Sequence, residues 1–133
     1  MQTFLPYSSF ARSAQVLDYR RLGKERVEAW QIYQTLIGVS SGWSNHPAVK
    51  MWRGYENALL EYYNTMLFQW AERGYINKKL QPIAIKGAIK LPHWLGDKSL
   101  HLSHQSNLIR KLPEHYKQYF PTVSDDLPYV WPV

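Results

Sequence analysis

The sequence predicts an all-α fold: a compact domain of three helices with long irregular connections and a C-terminal tail rich in proline and aromatic residues. Two observations indicate this class. Apolar residues recur at helical spacing in three stretches, which glycine and proline residues separate. The one β-branched stretch, around Ile83 and Ile85, is interrupted by prolines and a glycine. A chain of 133 residues is long enough for a core of its own, so we expect one domain over residues 1–133.

The first helix is expected to begin after Ser8 or Ser9, either of which can cap an N-terminus, and to end near Gly38. Gly23 inside this pattern indicates a kink or a close approach of the backbone to a ligand. A loop is expected over residues 38–45. The apolar positions of the helix are Phe10, Ala14, Leu17, Leu22, Trp30, Tyr33 and Ile37.

The second helix is expected to follow Pro47 and to end at Gly74, with core positions at Trp52, Tyr55, Leu59, Tyr62, Met66 and Trp70. Residues 75–98 predict an ordered loop with room for a short strand. A third helix is predicted from about Lys98 to Leu112, where Pro113 stops it. A short aromatic turn and a tail that wraps the outside of the domain complete the chain.

Composition favours a nucleic-acid partner. The formal net charge is +6, and 15% of the residues are aromatic, so cations are available for phosphates and rings for bases. The chain has no cysteine, which excludes disulfides and cysteine-based zinc sites. No apolar run approaches the length of a membrane span, and the N-terminus lacks a signal-peptide pattern. We expect a monomer without cofactor in the cytoplasm, in a bacterial nucleoid or a virus-infected host cell.

The segment 17–30 concentrates charge near the N-terminus. Helical spacing places Asp18, Arg21, Lys24 and Glu25 on neighbouring rows of one face. Two interpretations remain open: a site that grips a polyanion, and a solvated helix with ion pairs such as Arg21–Glu25. The cations of the segment are Arg20, Arg21, Lys24 and Arg26.

The third helix carries a second polar set, consisting of His104, Gln105, Asn107, Arg110 and Lys111. Such side chains contact base edges, sugars and phosphates. The same pattern also fits a polar helix with one core histidine at position 104. His101 and His104 have the i,i+3 spacing of a metal-binding pair, but only Asp97 lies nearby as a third ligand, so we predict no metal site.

Four segments resemble the pyrimidine-dimer DNA glycosylase family, which includes small phage-type endonucleases that excise ultraviolet photoproducts. They are Met1–Pro6, Asp18–Leu22, Trp52–Glu56 and Ser103–Lys111. The resemblance extends over most of the chain and is strongest for a bacterial and viral branch of the family. It implies a DNA glycosylase with AP lyase activity on double-stranded DNA that contains a lesion, such as a pyrimidine dimer, or a modified base.

The resemblance also implies a nucleophile, the N-terminal α-amine. Such amines have a reference pKa of about 7.7–8, so part of the population is unprotonated near neutral pH. Because Gln2 is large, we expect Met1 to be retained and its amine to react. The other family cations correspond to Arg20, Lys24 and Arg26, which would hold phosphates around an extruded nucleotide.

The chain departs from the family at the catalytic acid, because Arg21 occupies the position of the family's glutamate. Asp18 and Glu25 each lie one turn away and are the candidates for an acid/base role. We prefer Asp18, since Arg21 and Lys24 compete for Glu25. Two alternatives follow from the missing glutamate: a DNA-damage-binding module without catalysis, and an amine-dependent enzyme acting on a small aldehyde or nucleoside.

Overall fold

The computed structural model describes all residues from Met1 to Val133, and its regular secondary structure consists of helices without a strand. The all-α prediction is therefore confirmed. Three long helices correspond to the three expected from the sequence, and shorter helices accompany them. The elements are α1 (Phe10–Val16), α2 (Tyr19–Leu36), α3 (Pro47–Lys50), α4 (Glu56–Glu72), α5 (Lys98–Lys111) and α6 (Pro113–Tyr116).

The expected first helix divides at Leu17 and Asp18, whose backbones are extended with ψ of 135° and 160°. The helical hydrogen bonds lost at this break are partly replaced from α6. Asp18 donates its N–H to the Tyr116 hydroxyl at 2.9 Å, and the same hydroxyl donates to the Asp18 carboxylate. Because Tyr116 lies 98 residues away, the local apolar pattern contained no signal for this break.

The expected second helix also divides, into α3 and α4. Gly54 lies between them with φ of +87°, a conformation that glycine adopts without steric penalty. The third helix follows the prediction closely, because Asp97 caps α5 by accepting the Ser99 N–H at 3.1 Å and the helix ends at Lys111. Residues 75–97 form a loop without a strand. The side chain of Asn64 binds this loop by hydrogen bonds to both the N–H and the C=O of Ile83.

The core lies between α2 and α4, with α1 packed on α4. Its largest fully buried side chains include Trp52 and Tyr62, as the apolar spacing predicted. A fully buried aliphatic side chain of this core, such as Leu59, contributes about 1.5–3 kcal/mol by leaving water. Gly23 allows the close approach of the two helices, since a Cβ there would lie 3.1 Å from the Trp70 ring. The close approach at this glycine is therefore explained by packing. No helix is both long and apolar enough to span a bilayer.

The two ends of the chain meet at α5. Residues 2–5 run through the interior without regular secondary structure and are almost fully buried. The C-terminal tail crosses the same helix, where Ser106 Oγ accepts the Leu127 N–H at 2.9 Å and Ser103 Oγ accepts the Val130 N–H at 3.2 Å. The helix thus fixes the position of both termini.

Candidate active site

The N-terminal segment has no strand partner, and side chains satisfy its backbone instead. Glu28 Oε2 accepts the Gln2 N–H at 3.2 Å, and Glu25 Oε1 accepts the Phe4 N–H at 2.6 Å. The next amide, that of Leu5, donates to His104 Nδ1 at 2.8 Å. Buried backbone groups left unpaired would cost free energy, so these bonds hold the segment in one conformation and fix the position of Met1.

The opposite side of the segment is bound as well. The Tyr62 hydroxyl donates to the Phe4 carbonyl at 2.9 Å, and Trp52 Nε1 donates to Thr3 Oγ1 at 3.0 Å. Both partners are core aromatic residues of the second predicted helix, and both are fully buried. The position of Met1 is therefore determined by side chains of several elements that bind the residues directly after it.

A cavity of about 320 Å³ opens beside Met1. It gathers four cations and two carboxyl groups from α2, α5 and the first residues. The residues that line it are Met1, Gln2, Phe4, Arg20, Arg21, Lys24, Glu25, Glu28, Lys111 and Tyr129. Five of the residues singled out in the segment 17–30 and at the N-terminus, together with Lys111, thus lie in one place.

Asp18 and Arg26 do not line this cavity. Asp18 lies in an adjacent depression, where it forms an ion pair with Arg21 at 3.1 Å in addition to its bonds with Tyr116. Arg26 donates to Asn77 Oδ1 at 2.7 Å, and its guanidinium lies 4.2 Å from the centre of the Trp70 ring. Both side chains support the packing of α2 in this structure.

Four of the five polar residues of α5 considered for DNA contact bind other parts of the protein. His104 is fully buried, Gln105 donates to the Pro6 carbonyl at 2.7 Å, and Asn107 donates to the Leu127 carbonyl at 3.1 Å. Arg110 also binds the tail, through the Leu127 carbonyl at 3.2 Å. Only Lys111 of the five reaches the cavity with an exposed side chain. No signal within the α5 sequence indicated that both termini of the chain would bind this helix.

The neighbouring His101 is also engaged by the backbone. Its Nδ1 lies 2.7 Å from the Leu5 carbonyl, and its Nε2 accepts the Gly96 N–H at 2.9 Å. Both ring nitrogens of His101 therefore serve the fold. His101 thus binds the C=O of Leu5, and His104 binds its N–H.

Glu25 is buried, with 1% of its surface exposed, and its Oε2 has no hydrogen-bond partner. Burial raises the pKa of Glu25 well above its usual value, and the neighbouring charge of Glu28 raises it further. The hydrogen bond from the Phe4 N–H acts in the opposite direction with a smaller effect. The surroundings of Glu25 therefore favour the protonated acid.

Glu28 was missed by the sequence reasoning, although it lies three residues after Glu25 and four after Lys24. Its Oε1 is 3.6 Å from Lys24 Nζ, and its Oε2 binds the amide that follows Met1. The helical spacing that grouped Asp18 with Glu25 would also have placed Glu28 on this face. A carboxyl group that favours protonation thus lies beside a second carboxyl paired with a cation, an arrangement suited to acid/base chemistry.

The comparison with known families covers this same region. A family model described as pyrimidine dimer DNA glycosylase matches residues 1–81, which include Met1, helices α1–α4 and every cavity residue except Lys111 and Tyr129. No curated protein and no solved structure matches the chain significantly. Because the family model spans more than half of the chain and contains most of the cavity, the protein belongs to the pyrimidine dimer DNA glycosylase family.

Proposed function

We propose that this protein is a monomeric DNA glycosylase with AP lyase activity, and that the α-amine of Met1 is its nucleophile. Its substrate is double-stranded DNA with a damaged or modified base. The observation that carries the proposal is the position of Met1, which lines a cavity together with two carboxyl groups and four cations. The bonds to the Gln2, Phe4 and Leu5 amides support it, since a nucleophile must be held in place to react.

The proposed chemistry follows from the family resemblance. The lone pair of the amine forms a bond to the sugar C1′ while the glycosidic bond breaks. The base leaves with the electron pair of the glycosidic bond and takes up a proton. Opening of the sugar ring gives an imine. Removal of a C2′ proton from the imine then expels the 3′ phosphate and nicks the strand.

We assign the acid/base role to the carboxyl groups of the Met1 cavity rather than to Asp18. Glu28 binds the amide next to Met1 and is partly exposed to the cavity, so its carboxylate can stabilise the positive charge that develops on the sugar. Glu25 favours the protonated form, which leaves one negative charge in the pair. This assignment replaces the preference for Asp18, whose carboxylate is bound by Arg21 and Tyr116.

The cations of the cavity are assigned to phosphates. Arg20 and Lys111 are exposed and form no ion pair, whereas Arg21 and Lys24 are paired with acidic neighbours. All four lie around the opening through which an extruded nucleotide would enter, where their charge can hold the flanking phosphates.

Borohydride trapping tests the proposal. The native protein is incubated with a duplex that carries a single abasic site, in parallel with protein whose α-amine is acetylated or extended by two glycines. We expect a covalent adduct with native protein only, and mass spectrometry should place it on Met1. If native protein forms no adduct between about pH 6 and 9 yet binds the duplex, the lyase is excluded and the chain is a DNA-damage-binding module.

The role of Glu28 is tested with Glu28→Gln, which keeps an acceptor for the Gln2 N–H and removes the charge. We expect the single-turnover rate of strand nicking to fall by about 10²–10⁴. Glu61→Gln on the exposed face of α4 is the matched control, and its rate should equal that of the native protein. A Glu28→Gln variant that nicks at the native rate would remove this residue from the mechanism.

A further inference from the structure

Trp43 combines exposure with an unfavourable backbone conformation. It lies in the loop 38–45 between α2 and α3, and 62% of its surface is exposed. Its φ of +65° makes it the one residue other than glycine with a positive φ in this chain. Bulky L-residues rarely adopt this left-handed conformation, because the Cβ approaches the following carbonyl. An exposed side chain gains too little from burial to explain the strain.

The loop imposes this conformation through bonds on both sides of Trp43. The Gly42 carbonyl accepts from Thr35 Oγ1 at 2.8 Å, and the Ser44 carbonyl accepts from Arg53 Nη2 at 3.4 Å. The Trp43 carbonyl itself accepts the His46 N–H at 2.9 Å. Strain that neighbouring contacts maintain at an exposed position is typical of functional sites.

A line of aromatic rings connects Trp43 with the Met1 cavity. The centroids of Trp43 and His46 are 5.9 Å apart, those of His46 and Trp131 are 5.7 Å apart, and those of Trp131 and Tyr129 are 5.5 Å apart. Tyr129 lines the cavity. Burial and, secondarily, the positive charge of the Met1 amine lower the pKa of His46, in keeping with the proximity of the two groups. The exposed ring of Trp43 thus lies three ring contacts from a residue that lines the Met1 cavity.

The surroundings of Trp43 fit a polyanion. Residues 38–55 contain no acidic side chain, and Lys50 and Arg53 are exposed just after the loop. A single exposed aromatic ring beside cations matches duplex DNA, where the cations take phosphates and the ring takes the face of a base.

We propose that Trp43 inserts into the duplex next to the target nucleotide, stacks on the flanking base and keeps the target extruded toward Met1. The inference rests on the proposed function, because it assumes that DNA binds over the Met1 cavity. Extrusion leaves a gap in the stack, and an aromatic side chain that fills the gap recovers part of the lost stacking. The fixed loop presents the ring without further ordering when DNA binds.

The test uses a duplex with a tetrahydrofuran abasic analogue, which cannot be cleaved by β-elimination, and with 2-aminopurine as the neighbouring base. Wild-type protein should change the 2-aminopurine emission on binding. Trp43→Gly should abolish that change and weaken binding about 5- to 150-fold, the range expected for loss of one base–aromatic stack. Trp43→Phe should restore most of the emission change and most of the binding affinity. Val39→Ala, at a position 68% exposed in the same loop, should behave as wild type.

Thermal stability distinguishes stacking from a structural role. Because glycine accepts a positive φ, Trp43→Gly should melt at the same temperature as wild type or higher. Equal affinity and equal emission for Trp43→Gly and wild type would overturn the proposal, and so would a fall in its Tm of more than about 5 °C. Borohydride trapping by wild type on natural abasic DNA is measured in parallel. If trapping fails while the 2-aminopurine experiment gives the expected result, the amine mechanism is overturned and the stacking proposal is retained.

Discussion

Asp18 illustrates how the function of a residue depends on its neighbours rather than on its place in a motif. Its carboxylate binds Arg21 at 3.1 Å and accepts from the Tyr116 hydroxyl, and burial raises the pKa of that tyrosine. These contacts join α6 to the break between α1 and α2. Asp18 is 7% exposed, so the loss of its charge cannot be compensated by water.

We therefore predict that Asp18→Asn lowers the free energy of unfolding by about 1–3 kcal/mol and changes the nicking rate less than threefold. Urea denaturation and single-turnover nicking of abasic DNA measure the two quantities. Asp125→Asn, exposed in the tail, is the control for stability. A stable Asp18→Asn variant without activity would restore Asp18 to the catalytic role first expected of it.

Glu25 should destabilise the fold as the pH rises. Because its pKa is raised in the folded state, the folded protein binds a proton that the unfolded chain has already released above its own pKa of about 4.3. Stability is therefore fully present below that pH and falls as the pH rises toward the raised pKa, by at most about 1.4 kcal/mol per pH unit. Urea denaturation from pH 5 to 8 measures this slope.

Glu25→Gln keeps an acceptor for the Phe4 N–H and removes the titrating group. Its stability should vary less with pH than that of the wild type, so that the variant gains on the wild type as the pH rises. Glu72→Gln, at the exposed end of α4, should retain the wild-type slope. Parallel pH profiles for Glu25→Gln and wild type would contradict a raised pKa at this position.

Among the secondary-structure elements, the sequence predicted the helices whose signals lie close together in the chain. The bounds of α5 follow from Asp97 as N-cap and Pro113 as a stop, and both signals lie within two residues of its ends. The buried path of the first residues could not be predicted in this way, because its partners are side chains from α2, α4 and α5. The site depends on that path, so the sequence placed Glu25 and Arg20 near Met1 but not Glu28 or Tyr129.

The hydrogen bond between Leu5 of the N-terminal segment and His104 of α5 should determine the acid limb of the stability profile, that is, the loss of stability as the pH falls. Burial and, secondarily, His101 lower the pKa of His104 to about 3, and the neutral ring accepts the Leu5 N–H. The unfolded chain takes up a proton below about pH 6.5 that the folded protein does not. Stability should therefore fall as the pH falls from about 6.5 toward 3.

His104→Asn retains an acceptor near the Leu5 amide and cannot titrate, so we predict that its free energy of unfolding changes less between pH 6 and 4 than that of the wild type. The exposed His93 supplies the control, and His93→Asn should keep the wild-type slope. The measurement is urea denaturation across this range. If His104→Asn loses stability on acidification as steeply as wild type, another group governs the acid limb.

For the molecule as a whole, the net charge of +6 is less informative than the partners of each cation. Arg26 donates to Asn77, and Arg73 donates to the Ala14 carbonyl of α1, so both add to the net charge while their side chains bind within the fold. The region beyond residue 81 completes the cavity with Lys111 and Tyr129, although the family model ends before it. The C-terminal part of the chain thus contributes both a wall and a free cation to the site.

The salt dependence of binding should therefore come from few residues. Each phosphate that a cation neutralises adds about 0.9 to the slope of log K against log salt concentration. Arg20 and Lys111 are exposed, unpaired and at the cavity opening, so the double variant Arg20→Ala/Lys111→Ala should reduce the slope by about 2. Fluorescence anisotropy with an abasic duplex between about 50 and 200 mM salt measures it.

The double variant Lys86→Ala/Lys90→Ala removes the same charge from the exposed loop between α4 and α5, away from the Met1 cavity. If DNA contacts the cavity face, this control should leave the slope unchanged even though its net charge falls equally. Equal losses for the two double variants would mean that binding responds to the overall charge. The cations at the Met1 cavity would then have no special part in holding DNA, and their grouping would reflect only the packing of α2 and α5.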